Sequence, residues 1–425
     1  MRAAVLTAGC RLNQAESDGL RAWLRQEGWT VGDGPAGADV CYVNTCAVTG
    51  RAERSSIQLI RQACRTRPKP KVVVLGCLAE SAPERVWGIL GVNEVWSREE
   101  KQRAVDESCP WPERSRALLK VQDGCSRRCH FCLAALVRGE PKSLPVGQVL
   151  ERFVQLVDAG YQEIVLTGLN LGCYQVPDGT DLAGLLKRLL ALPGRFRIRL
   201  GSLEPDAFKE SLWPVLADGR ICPHFHIPLQ SGDDKLLSAM GRHLPAASGA
   251  AVVERLVRLR PDACIGADVI VGFPGENEAS FLRTEQFLDS LPLAYLHVFS
   301  YSPRPGTTGY CLGEGVRPAV KRERVARLRE FSARRRRQFG QRFVGTCREA
   351  VLETGQRALT DNYLRLRVSA AGLLPKSLFR AFIADAKSAG LLTERRRDAV
   401  IDSSGTGHLL VRCAAECEGV LGWLH

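Results

Sequence analysis

No stretch of this 425-residue chain is apolar for long enough to cross a membrane, and its start lacks the charged-then-apolar pattern of a secretory segment. Acidic residues are in short supply: 46 Asp and Glu stand against 59 Lys and Arg, a net charge of +13. The imbalance suits a polyanionic partner, nucleic acid before an anionic membrane surface, or serves solubility alone. The chain also lacks the Lys-Ser/Thr pair that would turn Gly272-Phe-Pro-Gly-Glu into a phosphate-binding P-loop. It is not the short, cysteine-dense chain of a secreted disulfide scaffold either.

What remains is an ordinary globular composition, 45% hydrophobic and 25% charged, on a chain long enough for roughly two to four domains. It carries 16 cysteines, which in a reducing compartment points to metal or cluster ligation. Cys125, Cys129 and Cys132 form a C-x3-C-x2-C triplet in Asp123-Gly-Cys-Ser-Arg-Arg-Cys-His-Phe-Cys. Three thiolates at this spacing can hold three irons of a cubane and leave the fourth iron open to a substrate or cofactor. Cys10, Cys46 and Cys77 each follow a short β-rich segment: Ala3-Ala-Val-Leu-Thr, Val40-Cys-Tyr-Val-Asn and Lys71-Val-Val-Val-Leu. Such segments alternating with helical stretches predict a parallel sheet, whose carboxyl edge would gather the three cysteines. They can serve a second cluster, or zinc if a fourth ligand joins them. The other ten, from Cys41 to Cys417, read as small hydrophobes or spare thiols.

Six further strand candidates begin at Ala117, Glu163, Phe196, His224, Ala267 and Tyr295, with helical patterns between them. They predict a partial β/α barrel with its chemistry at the carboxyl ends of the strands. The triplet follows the first strand. Thr167-Gly-Leu-Asn, Ser202 with Glu204, Gln230-Ser-Gly and Gly272-Phe-Pro-Gly-Glu follow others.

The triplet, with Phe131 before its last cysteine, resembles the radical S-adenosylmethionine (SAM) superfamily. Cys10, Cys46 and Cys77 narrow the resemblance to its methylthiotransferases. So do Glu163-Ile-Val-Leu-Thr-Gly-Leu-Asn, Arg197-Ile-Arg-Leu-Gly-Ser-Leu-Glu-Pro, Pro228-Leu-Gln-Ser-Gly, Asp268-Val-Ile-Val-Gly-Phe-Pro-Gly-Glu and Tyr301-Ser-Pro-Arg-Pro-Gly-Thr. The resemblance implies two [4Fe-4S] clusters, one on Cys125, Cys129 and Cys132 and one on Cys10, Cys46 and Cys77. It implies that SAM is both radical source and methyl donor. Phe131, Thr167, Gly168, Asn170, Ser202, Glu204, Gln230, Val269 and Gly272 are the implied SAM contacts. Ala135 stands where the family usually has proline, and Lys142 where it often has arginine; Arg138-Gly139 is kept.

The basic run at Arg334, Arg335, Arg336 and Arg337 reads as a helix facing phosphates, or as a solvated helix face. After it, alternating segments suggest a small antiparallel barrel resembling the TRAM RNA-binding domain. There Tyr363, Arg365 and Arg367 offer stacking and phosphate contacts, unless Tyr363 is a core residue.

The expected architecture is therefore α/β and multidomain. Residues 1–112 form a parallel α/β domain, 113–315 a partial (β/α)6 radical SAM barrel, 316–340 a basic linking helix and 341–395 the TRAM-like barrel. Residues 396–425 are an unassigned tail. The implied reaction is methylthiolation at C2 of N6-threonylcarbamoyladenosine next to a tRNA anticodon. Alternatives are N6-isopentenyladenosine, a ribosomal-protein aspartate, or a non-catalytic iron–sulfur or zinc RNA-binding protein. The implied partners are the tRNA anticodon stem-loop, an electron donor such as flavodoxin or ferredoxin, and a sulfur source. The expected location is cytoplasmic, away from membranes.

Overall fold

Three layers of β-structure follow one another along the chain. The computed structural model describes residues 1–106, 114–313, 315–353, 357–368, 376–383 and 408–413, with only the backbone of the last segment. Cys109, Cys417 and most of the expected tail lie outside the described residues.

The N-terminal sheet is parallel, with Arg2–Thr7 and Val40–Thr45 at its centre and Lys71–Gly76 beside them. Two short edge strands that the sequence reading did not foresee, Thr30–Gly32 and Glu94–Val95, complete it. The central strand Val40–Thr45 is buried along its whole length, as a strand covered on both faces must be.

The six core strands are Ala117–Lys120, Glu163–Thr167, Arg197–Leu200, His224–Gln230, Cys264–Val271 and Tyr295–Ser300. They pair in parallel as two three-stranded sheets, and the isolated bridge Ile198–Ile221 joins the halves. Phe225, Ile227, Ile265, Ala267, Val269 and Leu296 belong to the core packed under the helices. By strand alternation, His224, His226, Asp268, Tyr295 and His297 lie on the opposite, inner face.

The long helix Pro318–Gln341 packs on the last core strand and leads into a small barrel. Strands Cys347–Leu352, Arg357–Thr360, Arg365–Val368 and Leu378–Ile383 pair antiparallel. His408–Cys413 closes the barrel between the third and fourth, parallel to the third. The barrel thus extends past residue 395, the boundary expected from sequence. No helix among the described residues is long and apolar enough to cross a membrane.

Candidate active site

The first core strand ends in a turn that only glycine can make. Gly124 has φ 73°, and a Cβ there would lie 2.0 Å from the Glu140 carbonyl oxygen. Gln122 fastens this turn. Its Nε2 donates to the Asp123 and Gly124 carbonyls at 2.7 Å, and its Oε1 accepts from the Asn170 N–H at 2.9 Å. The approach to Cys125 is thereby tied to the loop after the second strand. Asn170 Nδ2 lies 3.7 Å from Cys125 Sγ, while its Oδ1 is buried without a partner.

The triplet loop is pinned again where His130 N–H donates to Met240 O at 2.9 Å and Gly309 N–H donates to His130 O at 2.7 Å. Burial pushes the Cys129 thiol up to about 11, against the pull of Arg242. Cys132 is also raised by burial. Phe131 packs with Leu236, Met240, Phe273 and Tyr301.

The second triplet sits at the carboxyl edge of the N-terminal sheet. Cys10 is exposed at the start of helix Arg11–Gln26, whereas Cys46 and Cys77 are buried. Burial raises Cys77 and pushes Cys46 up to about 11; nearby Cys77 and Cys10 add to the rise at Cys46. At Gly9, with φ 101°, a Cβ would lie 2.8 Å from Cys46 Sγ. Ser56 Oγ accepts from the Cys46 N–H and donates to its carbonyl, both at 2.9 Å.

Neither set is drawn together tightly enough for a single ion. Tetrahedral zinc at its usual bond length holds thiolate sulfurs roughly 4 Å apart. Among the described residues, the only set of three or more potential ligand atoms within 4.8 Å of one another is His226, Asp268 and His297; neither cysteine triplet is so tight. A cubane spreads its thiolates wider and needs small residues around it, as at Gly9. The orphaned Asn170 Oδ1 beside Cys125 adds a polar group facing the first site.

Between the triplets lies a buried polar hub that the sequence reading missed. Arg138, at the end of the helix following Cys132, donates to Asn13 Oδ1 at 2.7 Å, Glu16 Oε1 at 2.8 Å and Asp123 Oδ1 at 3.0 Å. Lys101 and Lys120 bond the same Glu16 carboxylate at 2.9 and 3.0 Å. Burial pushes Glu16 up, but Arg138, Lys101 and Lys120 outweigh it and hold the carboxyl well below its ordinary value. Asn13 in turn donates to the Ala8 and Thr45 carbonyls at 2.9 and 2.8 Å, beside Cys10 and Cys46. Only the retained Arg138-Gly139 pair signalled this hub in the sequence.

The other expected contacts are dispersed. Gln230 ends its strand in the left-handed region, φ 66°, with Oε1 buried and unpartnered. Glu204 is held by Arg242 at 2.6 Å, and Ser202 is exposed. Thr167 pairs with Lys120 on the first core strand and Gly168 adjoins Gln122; a Cβ at Gly168 would lie 2.7 Å from Gln122 Oε1. Val269 buries its side chain under the helices and lies in the middle strand of its sheet, paired with Gln230 on one side and Val298 on the other. Gly272 is crowded by Lys321, and its N–H donates to Glu276 Oε2 at 2.9 Å. A cavity of about 630 Å³ opens beside the triplet between Arg127, His130, Asn170, Lys209 and His243, large enough for a nucleoside-sized ligand.

The basic residues divide. Arg334 and Arg335 pair with Asp289 at 3.4 and 3.1 Å, and Arg336 lies over the Tyr295 ring. Arg337 and Arg367 are exposed, and Arg365 is half-buried. Tyr363 is not an open stacking platform. Its ring stacks on His224 at 3.8 Å, and its hydroxyl accepts from Arg11 Nη2 at 2.8 Å. It is half-buried between the small barrel, whose core it packs against, and the floor of the core barrel.

Comparison with known proteins agrees with this architecture. Residues 119–288 match the radical SAM superfamily, and residues 2–96 match "Uncharacterized protein family UPF0004". Over 395 residues the chain is 35% identical to the threonylcarbamoyladenosine tRNA methylthiotransferase MtaB of Aquifex aeolicus (strain VF5), spanning 86% of this chain and 96% of that one. It is 32% identical over 390 residues to the tRNA-2-methylthio-N(6)-dimethylallyladenosine synthase of Alkalilimnicola ehrlichii, spanning 84% and 87%. The fold is similar to that of the radical SAM methyltransferase TsrM from Kitasatospora setae. That likeness has a TM-score of 0.56 at 14% identity and covers 73% of this chain and 75% of that one.

Proposed function

This chain belongs to the radical SAM methylthiotransferase family, and from that premise we propose that it inserts a methylthio group at C2 of N6-threonylcarbamoyladenosine beside a tRNA anticodon. The observation that carries the reading is the joint between two cysteine sets, Arg138 bonding both Asp123 ahead of one and Asn13 beside the other. A non-catalytic binding protein has no need to fix two such sets against each other through a buried charge network.

In this reading Cys125, Cys129 and Cys132 hold one [4Fe-4S] cluster with SAM, and Cys10, Cys46 and Cys77 hold the second. When bound, these groups supply hydrogen abstraction from an inert aromatic carbon and the methylated sulfur that replaces the hydrogen. The protein's part is positional. Gln122 and Asn170 orient the Cys125 loop, Arg242 lies against Cys129, and Gly9 makes room at the second set. The orphaned Oε1 of Gln230 serves SAM, and the strand end from Val269 to Gly272 borders its pocket. Glu204 serves it only through Arg242, its ion-pair partner.

The C-terminal barrel, read as a TRAM-like RNA-binding domain, contributes Arg365 and Arg367, with Arg337 on the helix before it. Domain limits near residues 112 and 315, a cytoplasmic setting, a flavodoxin- or ferredoxin-type reductant and a separate sulfur source complete the reading.

Anaerobic reconstitution should give about eight irons per chain, two cubanes' worth; a plateau at about four would refute the two-cluster reading. Nucleoside analysis of tRNA from a strain lacking the gene should show threonylcarbamoyladenosine without its methylthio form. An unchanged profile would reject this substrate.

A further inference from the structure

The inner face of the last two core strands carries a polar step and an apolar step in register. Asp268 pairs with His297 across the strands, and two residues further on Ile270 pairs with Phe299. Two residues of strand advance about 7 Å.

At the polar step, Asp268 Oδ1 lies 2.8 Å from His226 Nε2 and 3.4 Å from His297 Nδ1. His226 Nδ1 is 3.1 Å from the Tyr295 hydroxyl, which also meets His224 Nε2 at 2.9 Å. Gly266 makes this possible, since a Cβ there would lie 2.0 Å from Tyr295 Cζ. The polar step is open: the His297 side chain is 50% exposed and Asp268 20%. A short His226–Asp268 hydrogen bond puts a proton on the nitrogen that would otherwise ligate a metal, so the set is better suited to hydrogen bonding than to an ion.

At the apolar step, Phe299 is 39% exposed, and Ile270 packs against the cluster that includes Phe131, beside Cys132. The apolar step is therefore the one nearer the triplet.

We propose that this wall binds the N6-substituted adenine: Phe299 and Ile270 take the ring, Asp268 and His297 take the polar substituent below it, and His226, both of whose ring nitrogens are already bonded, holds the Asp268 carboxylate in place. The inference rests on the substrate reading given above. The dimensions agree. A substituent on N6 starts a few ångströms from the ring centre, as the polar step lies about 7 Å from the apolar one. C2 is separated from C6 by N1 and its C–H bond diverges from the C6–N6 bond, so this placement keeps C2 off the polar step and on the side of the cysteine-bearing strand ends. A threonylcarbamoyl group carries N–H and hydroxyl donors for the carboxylate and oxygen acceptors for the exposed His297 imidazole. An isopentenyl group offers nothing to these half-buried polar atoms and would strip them of water, a penalty that drives strong discrimination.

The test uses the reconstituted full-length enzyme with three anticodon stem-loops, bearing threonylcarbamoyladenosine, isopentenyladenosine or unmodified adenosine. Wild type should favour the first. Asp268→Asn and His297→Leu should each lower kcat/KM on it roughly 10- to 100-fold, the loss expected for a charged hydrogen bond. On unmodified adenosine, which lacks the substituent, the loss should be smaller, so the preference for threonylcarbamoyladenosine narrows. Phe299→Ala should lower both together and leave the ratio unchanged. A merely structural role would not give this split, and iron content at the wild-type level shows that each variant is folded and loaded. If Asp268→Asn and His297→Leu keep the wild-type preference, the inference is overturned and the substrate reading stands. If wild type itself shows no preference for threonylcarbamoyladenosine, both fall.

Discussion

Gly9 shows how one missing side chain can decide whether a cysteine set takes an inorganic ligand. Its φ of 101° is costly for any L-residue, and the space its Cβ would fill is already held by Cys46 Cβ at 2.5 Å and Sγ at 2.8 Å. Gly9→Ala should therefore push the Cys46 thiol aside while leaving the core barrel intact. The expected result is about four irons per chain after reconstitution instead of about eight. Iron and sulfide assays check it, and full iron loading would show that the close approach is dispensable. The six cysteines were legible in the sequence because thiolate spacing and strand-end position carry chemical meaning. Tyr363 was less legible: Tyr-x-Arg-x-Arg reads equally as an RNA face or as core, and only the packing against His224 and Arg11 separates the two.

Elements were read from sequence nearly as they stand where apolar runs are local. All six core strands fall where β-rich segments met turn residues, because a strand buried on its helix-facing side must be apolar there. Thr30–Gly32 and Glu94–Val95 are too short to carry a pattern. His408–Cys413 joins the barrel only through pairing with strands far away in sequence. The inner faces were also hidden, since His226, Asp268 and His297 come from three strands and meet only through register. Gly266 is the element-scale device that assembles them. Gly266→Ala would force the Tyr295 ring off the strand and release its hydroxyl from both His224 and His226. Overpacking of this kind costs about 1–3 kcal/mol, and urea unfolding followed by far-UV circular dichroism would measure it. An unchanged midpoint would mean that Tyr295 has another resting place.

The whole molecule is joined by two buried carboxylates, each clasped by several cations. Glu16 binds Arg138, Lys101 and Lys120 where the N-terminal domain meets the core. Glu163 binds Arg197 at 2.5 Å and Arg199 at 2.7 Å. The same arginines donate onward to the Leu359, Thr360 and Asp361 carbonyls of the C-terminal barrel at 2.9–3.1 Å. One clasp therefore sets the spacing of the cysteine sets, and the other fixes the floor of the core barrel against Tyr363. Burial alone would raise both carboxyls, but the surrounding cations hold both well below the ordinary value of 4.5. A carboxyl whose folded-state value is depressed adds stability that is fully present above its unfolded value and is lost as the pH falls below it. Unfolding free energy should thus decline as the pH drops below about 4.5, faster than ordinary surface carboxylates would produce. Glu163→Gln removes one of these groups and strands the arginines in the interior. It should cost about 3–5 kcal/mol at neutral pH and make the remaining acid dependence shallower. Urea titrations between neutral and acid pH on both proteins would test this, and parallel pH profiles would show that Glu163 is not a source of the acid sensitivity.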